Sequence, residues 1–200
     1  VVFFAVGFET TSPTSAATVL QAQREGIKNF SIICNNKIIP PAMELLLEDK
    51  DTTIDGFLCP GHVSAIIGTA PYQRLVERYR RGCVVSGFEP LDIILSTYWL
   101  MLQKNRNEPR VEIEYSRVVH PEGNRKALAI LEQVYEVADV TWRGFGVIPQ
   151  SGLVLRDEFS SYDAIRKFDL PAPPISEPKG CRCGEGLKGI ITPKECPLFA

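Results

Sequence analysis

The sequence predicts an α/β fold built on parallel strands. Short continuous apolar runs such as Val1–Val6 and Phe30–Cys34 recur along it, the pattern of strands buried on both faces. Segments with helical spacing lie between these runs, joined by short links rich in Gly, Pro, Ser and Thr. The 200 residues are 44% hydrophobic and 23% charged, enough for one ordinary domain or two small ones with real cores, and too apolar for a disordered chain.

Each element has its own signal. After the strand Val1–Val6 and the turn Gly7-Phe8-Glu9, residues Thr10, Thr11 and Ser12 offer N-caps and Pro13 suits a first helical turn. That helix runs through Val19-Leu20 and stops at Gly26. Phe30–Cys34 is the second strand, and Pro40-Pro41 open a helix through Met43–Leu47. Ile54–Leu58 is a third strand, followed by the turn Cys59–Ser64. Tyr72–Arg80 is helical, with Gly82 as its stop. Cys83–Ser86 is a strand, followed by Gly87-Phe88-Glu89-Pro90 and a long apolar helix, Leu91–Gln103. Val111–Tyr115 alternates as a strand does, Pro121–Val137 has a helical apolar face (Leu128, Leu131, Val134, Tyr135), and Gly152–Leu155 reads as a last strand.

This order predicts an α/β domain over 1–105. Residues 106–170 complete its sheet or begin a second α/β domain. A Pro-rich linker covers 171–180, and 181–200 is a short cysteine-rich element cut off at its end. Both termini read as interruptions: Val1 already lies inside a strand pattern, and Ala200 follows Cys196 by four residues. Gly-Phe-Glu occurs at 7–9 and again at 87–89, each time between a strand and a helix start, as a duplicated strand-turn-helix module would place it.

The net charge of −2 gives no broad field for nucleic acid or membrane surfaces. No run reaches the ~18 apolar residues needed to span a bilayer. Six cysteines without a secretion signal point to a reducing, cytoplasmic setting.

Three strand-to-helix turns carry unusual residues: Gly7–Thr11, Cys59–Ser64 and Gly87–Asp92. In open α/β sheets, ligands bind beyond the carboxyl ends of the strands, where helix N-termini present free N–H groups. Glu9, Thr10, Thr11, His62, Ser64 and Glu89 are therefore the candidate cleft residues. Each also has a plain reading. Thr and Ser cap helices, Glu complements a helix dipole, and a histidine can be structural. No dinucleotide fingerprint, phosphate loop or nucleophile elbow occurs.

Cys34, Cys59 and Cys83 fall at strand ends; Cys34 and Cys83 read as small buried hydrophobes, whereas Cys59 adjoins the Pro-Gly-His turn and stays open between packing and a role in that turn. Cys181, Cys183 and Cys196 share a short polar segment. Thiols at that density hold zinc or an iron–sulfur cluster. Cys-x-Cys leans away from zinc, and a disulfide is disfavoured in a reducing setting.

Together these motifs resemble the HypD family of hydrogenase maturation proteins. Gly7-Phe8-Glu9-Thr10-Thr11, Cys59-Pro60-Gly61-His62-Val63-Ser64 and Gly87-Phe88-Glu89-Pro90-Leu91-Asp92 follow its order. Trp142–Pro149, Ser151-Gly152-Leu153 and the tail from Cys181-Arg182-Cys183 to Cys196-Pro197-Leu198-Phe199 fit as well. The resemblance implies two Rossmann-like parallel-sheet α/β domains and a small iron–sulfur segment. It implies a metallocofactor-assembly scaffold with a redox role rather than a conventional turnover enzyme. With HypC, such a scaffold holds an iron that receives two cyanides and one carbon monoxide, giving Fe(CN)2CO. HypE delivers cyanide made by way of HypF, and the finished unit passes to the hydrogenase large subunit. Cys181 and Cys196 match ligands of a [4Fe-4S] cluster, and Cys183 matches a redox-active thiol or a further ligand. Glu9, Thr10, Thr11, His62 and Ser64 match motifs lining the central cleft, where they orient cyanide or iron or relay protons. The iron-binding cysteine and the remaining cluster ligands are expected outside this stretch. Gly186 and Ala200 depart from the family pattern. Two other readings compete: a metal-independent α/β enzyme with His62 as general base beside Glu9 or Glu89, and a zinc-stabilised interaction module.

Overall fold

The computed structural model describes residues 1–171 and 178–199. Most of the expected Pro-rich linker, and Ala200, lie outside the described residues. The strands are β1 (Val2–Gly7), β2 (Ser31–Asn36), β3 (Gly56–Pro60), β4 (Gly82–Ser86), β5 (Val111–Ile113), β6 (Tyr135–Trp142) and β7 (Gly146–Leu155). The helices are α1 (Ser12–Arg24), α2 (Ile39–Glu48), α3 (Gly61–Ile67), α4 (Ala70–Tyr79), α5 (Pro90–Arg106), α6 (Arg125–Val134), α7 (Ala164–Phe168) and α8 (Cys183–Leu187). The alternation of strands and helices is the expected α/β pattern.

The chain forms two compact units, Val1–Ala42 with Ala129–Ala200, and Met43–Leu128. This differs from the expected division at 105. The division falls inside α2 and α6, because apolar residues near both ends of the chain share one core. No composition break marks such a return.

In the first unit β1 and β2 are parallel, with Val2 opposite Ser31 and Gly7 opposite Asn36. β6 and β7 form an antiparallel hairpin with an irregularity between Ala138 and Val140. β7 then meets the end of β2: Lys37 bridges Gly152, and the Ile38 N–H donates to the Ser151 carbonyl at 2.8 Å. Ala16, Val19 and Ala22 of α1, Ile32, Val134, Tyr135, Leu153, Leu155, Phe159 and Tyr162 make up the core. Inside it the Tyr135 hydroxyl donates to Ser15 Oγ at 3.0 Å. Asp163 caps α7 by accepting from the Ile165 N–H at 2.9 Å.

The hairpin corrects the sequence expectation. A helix was expected through Val137, but it ends at Val134, and Tyr135–Trp142 is a strand. Glu-Val-Ala-Asp-Val-Thr-Trp alternates with period two, and packing against β7 decides for the strand. The expected final strand likewise begins six residues earlier, at Gly146 rather than Gly152.

In the second unit the order is β3-β4-β5, all parallel. β4 is central and all five of its residues are buried. α5 packs on β3 and β4, and α4 on β4 and β5. The expected stop at Gly82 is instead made by Arg80, in the left-handed region at φ 55°. Gly82 opens β4, where a Cβ would come within 2.2 Å of Gln103 Oε1. The short helix α3 was not anticipated. It ends at Gly68, whose φ is +71° and whose added Cβ would meet the Pro121 carbonyl at 2.2 Å.

Phe159 is 2% exposed in the core of the first unit. Phe159→Ala should cost about 3–5 kcal/mol, read by urea unfolding followed through the fluorescence of Trp142. A loss under about 1 kcal/mol would show that this ring is not part of a close-packed core.

Candidate functional site

Of the three turns, the one after β1 holds a glycine with positive φ. Gly7 has φ +144°, and a Cβ there would lie 2.3 Å from Thr11 Oγ1, so the turn requires glycine. The hydroxyls of Thr11 and Ser12 donate back to the Phe8 carbonyl at 3.1 and 2.9 Å. They tie the turn shut instead of capping α1, as expected of them. Asn36 Nδ2 donates to Thr11 Oγ1 at 3.2 Å, fastening the turn to the end of β2. Thr10 is exposed beside it.

Glu9 points inward and is 3% exposed. Its Oε1 accepts from the Ile39 N–H at 2.9 Å. Its Oε2 is buried with no hydrogen-bond partner among the described residues. Burial outweighs the backbone donors and pushes this carboxyl up to about 7. A carboxyl that titrates near neutrality can give or take a proton at a site closed to bulk water.

The other candidates lie in the second unit. His62 is exposed at the start of α3 and stacks on Phe88, with ring centroids 4.2 Å apart. Phe88 meets Tyr115 edge-on at 5.9 Å. The Arg117 guanidinium lies 4.5 Å from the Tyr115 ring centroid and grips Asp92 with two hydrogen bonds of 3.0 and 2.5 Å. This grip holds the Asp92 carboxyl below the usual range. Among the described residues no carboxylate hydrogen-bonds to His62, so the general-base reading lacks its orienting acid. Ser64 is buried and committed: its hydroxyl donates to the Pro60 carbonyl at 2.8 Å and pairs with the Tyr72 hydroxyl at 3.0 Å. Glu89 is exposed and forms a capping box with Asp92 at the start of α5.

The two Gly-Phe-Glu turns therefore share a place in the fold but not a role. In each, a side chain at the start of the following helix fills the space a Cβ would take on the glycine: the N-cap Thr11 at Gly7, and Asp92 of α5 at Gly87, where Oδ2 would be 2.0 Å away. Glu9 turns into the protein and Glu89 out of it. The six candidates divide between the units: Glu9, Thr10 and Thr11 in the first, His62, Ser64 and Glu89 in the second.

Cys34, Cys59 and Cys83 are core or near-core thiols. Burial raises Cys34 and Cys59; Cys83, expected with Cys34 to pack as a small hydrophobe, is fully buried. In the tail, the Cys183 N–H and thiol, together with the Arg143 guanidinium, hold the Cys181 thiol below its ordinary value. Cys183 is raised, chiefly by its bond to Cys181. The β6–β7 turn abuts this segment: a Cβ on Gly184 would lie 2.6 Å from the Gly144 carbonyl oxygen. Among the described residues no three His, Cys, Asp or Glu side chains stand close enough to hold a metal ion. The thiol chemistry suits an iron–sulfur cluster, but these residues do not assemble its ligand set by themselves.

Sequence reasoning missed Lys37, Arg117 and Tyr115. Lys37 follows β2 directly. Its N–H donates to the Gly7 carbonyl at 2.9 Å, and its ammonium donates to the Thr141 carbonyl at 2.7 Å and lies 5.5 Å from the Trp142 ring centroid. Burial lowers its proton affinity. Trp142, named only as part of a motif, also faces Phe8 at 6.1 Å and donates to Ser151 Oγ at 2.8 Å. No local pattern reveals the contact of Lys37 with Thr141, 104 positions on, or that of Phe8 with Trp142.

The HypD family profile, described as "Hydrogenase formation hypA family", matches residues 1–200. The chain is 43% identical over 205 residues to the hydrogenase expression/formation protein HupD of Azotobacter chroococcum, covering all of this chain and 54% of that protein. It is 41% identical over 206 residues to the hydrogenase maturation factors HypD2 of Bradyrhizobium diazoefficiens and HypD of Rhizobium leguminosarum, again covering all of this chain and 54% of each. The chain thus spans about half the length of these relatives. Among the described residues no helix is long and apolar enough to cross a membrane.

Because the folded Glu9 carboxyl is raised from 4.5 to about 7, the native state binds more protons than the unfolded one between those values. Stability should fall as pH rises through that window, by about 3 kcal/mol at most. Urea unfolding at pH 5 and pH 8 should show this loss, and Glu9→Gln should remove it. An equal pH dependence in both proteins would mean that Glu9 is ionised throughout.

Proposed function

Because the chain belongs to the HypD family, we propose that the protein of which it is part acts in hydrogenase maturation, as a scaffold on which the active-site iron is assembled. In this reading the iron is cargo. It receives two cyanides and one carbon monoxide, with HypC helping to hold it, HypE supplying cyanide, and the hydrogenase large subunit reached through HypC. The observation that carries the reading is Glu9. A turn that resembles the family's motif encloses a carboxyl with a proton affinity near neutrality, one of whose oxygens is buried without a hydrogen-bond partner among the described residues. Handling cyanide at a metal requires protons to be withheld or supplied at a fixed point, and Glu9 Oε2 offers that point. Asn36 and Thr11 hold the turn rigid, as a site that must not relax between ligand additions requires. His62, stacked on Phe88 at the sheet edge of the second unit, presents an exposed imidazole for contact with incoming groups. Cys181 and Cys196 would serve as ligands of a [4Fe-4S] cluster, and Cys183 as a ligand or redox-active thiol, with further ligands from outside this stretch. Such a cluster supplies electron-transfer chemistry.

The test is made in the full-length protein, in cells lacking their own copy, with hydrogenase activity as the readout. Glu9→Gln keeps the shape and loses the proton site, and should lower matured hydrogenase about 10²-fold or more. Full maturation with Glu9→Gln would remove Glu9 from the mechanism. Full maturation in cells lacking the protein would overturn the scaffold reading. Iron and acid-labile sulfide in the purified protein should be lost with Cys181→Ala, and unchanged contents would overturn the ligand assignment.

A further inference from the structure

A working histidine is ordinarily oriented by a hydrogen bond at one ring nitrogen, often from a carboxylate. Among the described residues no carboxylate bonds His62, yet its ring lies against Phe88 with planes 32° apart. Phe88 is itself 53% exposed and stands in a turn, so it needs a support of its own. Tyr115 is placed to be that support. Its N–H and that of Glu114 share the Val85 carbonyl of β4, at 3.2 and 2.9 Å. The chain after β5 is thereby drawn across the carboxyl ends of β3 and β4. There the Tyr115 ring meets Phe88 with planes 88° apart. It also lies against both motif turns of this unit. A Cβ on Gly61 would come within 2.8 Å of Tyr115 Cδ1, and one on Gly87 within 2.7 Å of Tyr115 Cδ2. Neither glycine has a positive φ, so both serve close approach and not backbone freedom.

Arg117 braces the same ring. Its guanidinium lies 4.5 Å from the Tyr115 centroid and is tied by two hydrogen bonds to Asp92, which is 4% exposed. An arginine anchored by a bidentate carboxylate is a fixed plate for an aromatic face. We propose that Tyr115 is the positioning residue for His62: set against Gly61 and Gly87 and braced by Arg117, it holds Phe88, and Phe88 holds the imidazole in one orientation. Because His62 belongs to the Cys-Pro-Gly-His turn and Phe88 to the second Gly-Phe-Glu turn, one tyrosine ring joins both motifs into a single surface. An imidazole held in this way meets an incoming group without first losing rotamer freedom. The inference concerns the second unit alone. It rests on that unit's geometry, not on the scaffold function, and stands if that function fails.

NMR of the full-length protein, labelled only at histidine, tests it. His62→Gln identifies the imidazole signals of His62 by their loss. Stacking on the Phe88 face should displace those signals upfield of a free histidine's. Tyr115→Phe keeps the ring and should leave the displacement unchanged. Tyr115→Leu should abolish it, and Arg117→Gln should reduce it, with circular dichroism unchanged in both. Wild-type His62 signals in a folded Tyr115→Leu protein would overturn the proposal. If Tyr115→Leu fails to fold, Arg117→Gln decides: a folded protein with wild-type His62 signals would overturn the proposal, since the brace would be idle. Undisplaced signals in the unaltered protein would overturn it as well, since His62 would then not be held on Phe88.

Discussion

Much of the first unit hangs on the seam between the end of β2 and β7. There the Ile38 N–H reaches the Ser151 carbonyl, Cys34 Sγ donates to the Leu153 carbonyl at 3.1 Å, and Tyr135 crosses to Ser15. With this seam closed, Ala16, Val19 and Ile32 find Val134, Leu155 and Phe159, and the short β1–β2 pair gains a core it could not build alone. The seam also fixes where β2 ends, and so where Asn36, Lys37 and Ile39 fall. Those three residues hold the Gly7–Thr11 turn: Asn36 by its amide on Thr11, Lys37 by its N–H on Gly7, Ile39 by its N–H on Glu9. The candidate proton site is thus a product of the packing that makes the unit fold.

The repeated Gly-Phe-Glu shows how little a motif decides by itself. Both copies sit where a parallel strand hands over to a helix, and both glycines are crowded by a side chain at the start of that helix, the N-cap Thr11 or Asp92. At the first, Ile39 supplies a backbone donor and the glutamate turns in. At the second, Asp92 takes the inward place, anchored by Arg117, and Glu89 is left as a solvent-facing cap. One carboxylate is inward at each turn. The first has one oxygen without a partner among the described residues and is raised; the second is ion-paired and lowered.

Most strands, and the turns that carry the candidate residues, were legible because an apolar run between Gly/Pro breaks has few alternatives. The hairpin was not. Val134 to Trp142 satisfies a helical and an alternating pattern at once, and only contact with β7 separates them. Arg80 as a helix stop was hidden by the better glycine two residues on. The burial of Ser64 against Tyr72 was hidden because a serine after Pro-Gly-His reads equally as a reactive hydroxyl. The division of the chain into Met43–Leu128 and the rest leaves no mark in composition, since it depends on which distant apolar residues meet.

That division carries a consequence for synthesis. The second unit is one continuous stretch, whereas the first waits for a partner sequence: Cys34 and Leu153, bonded across the seam, are 119 positions apart. At ordinary translation rates the ribosome needs on the order of ten seconds to cross that gap. Until Leu153 emerges, the β1–α1–β2 segment lacks the Val134, Leu155 and Phe159 side chains that complete its core, so its apolar face stays open to holding chaperones during elongation.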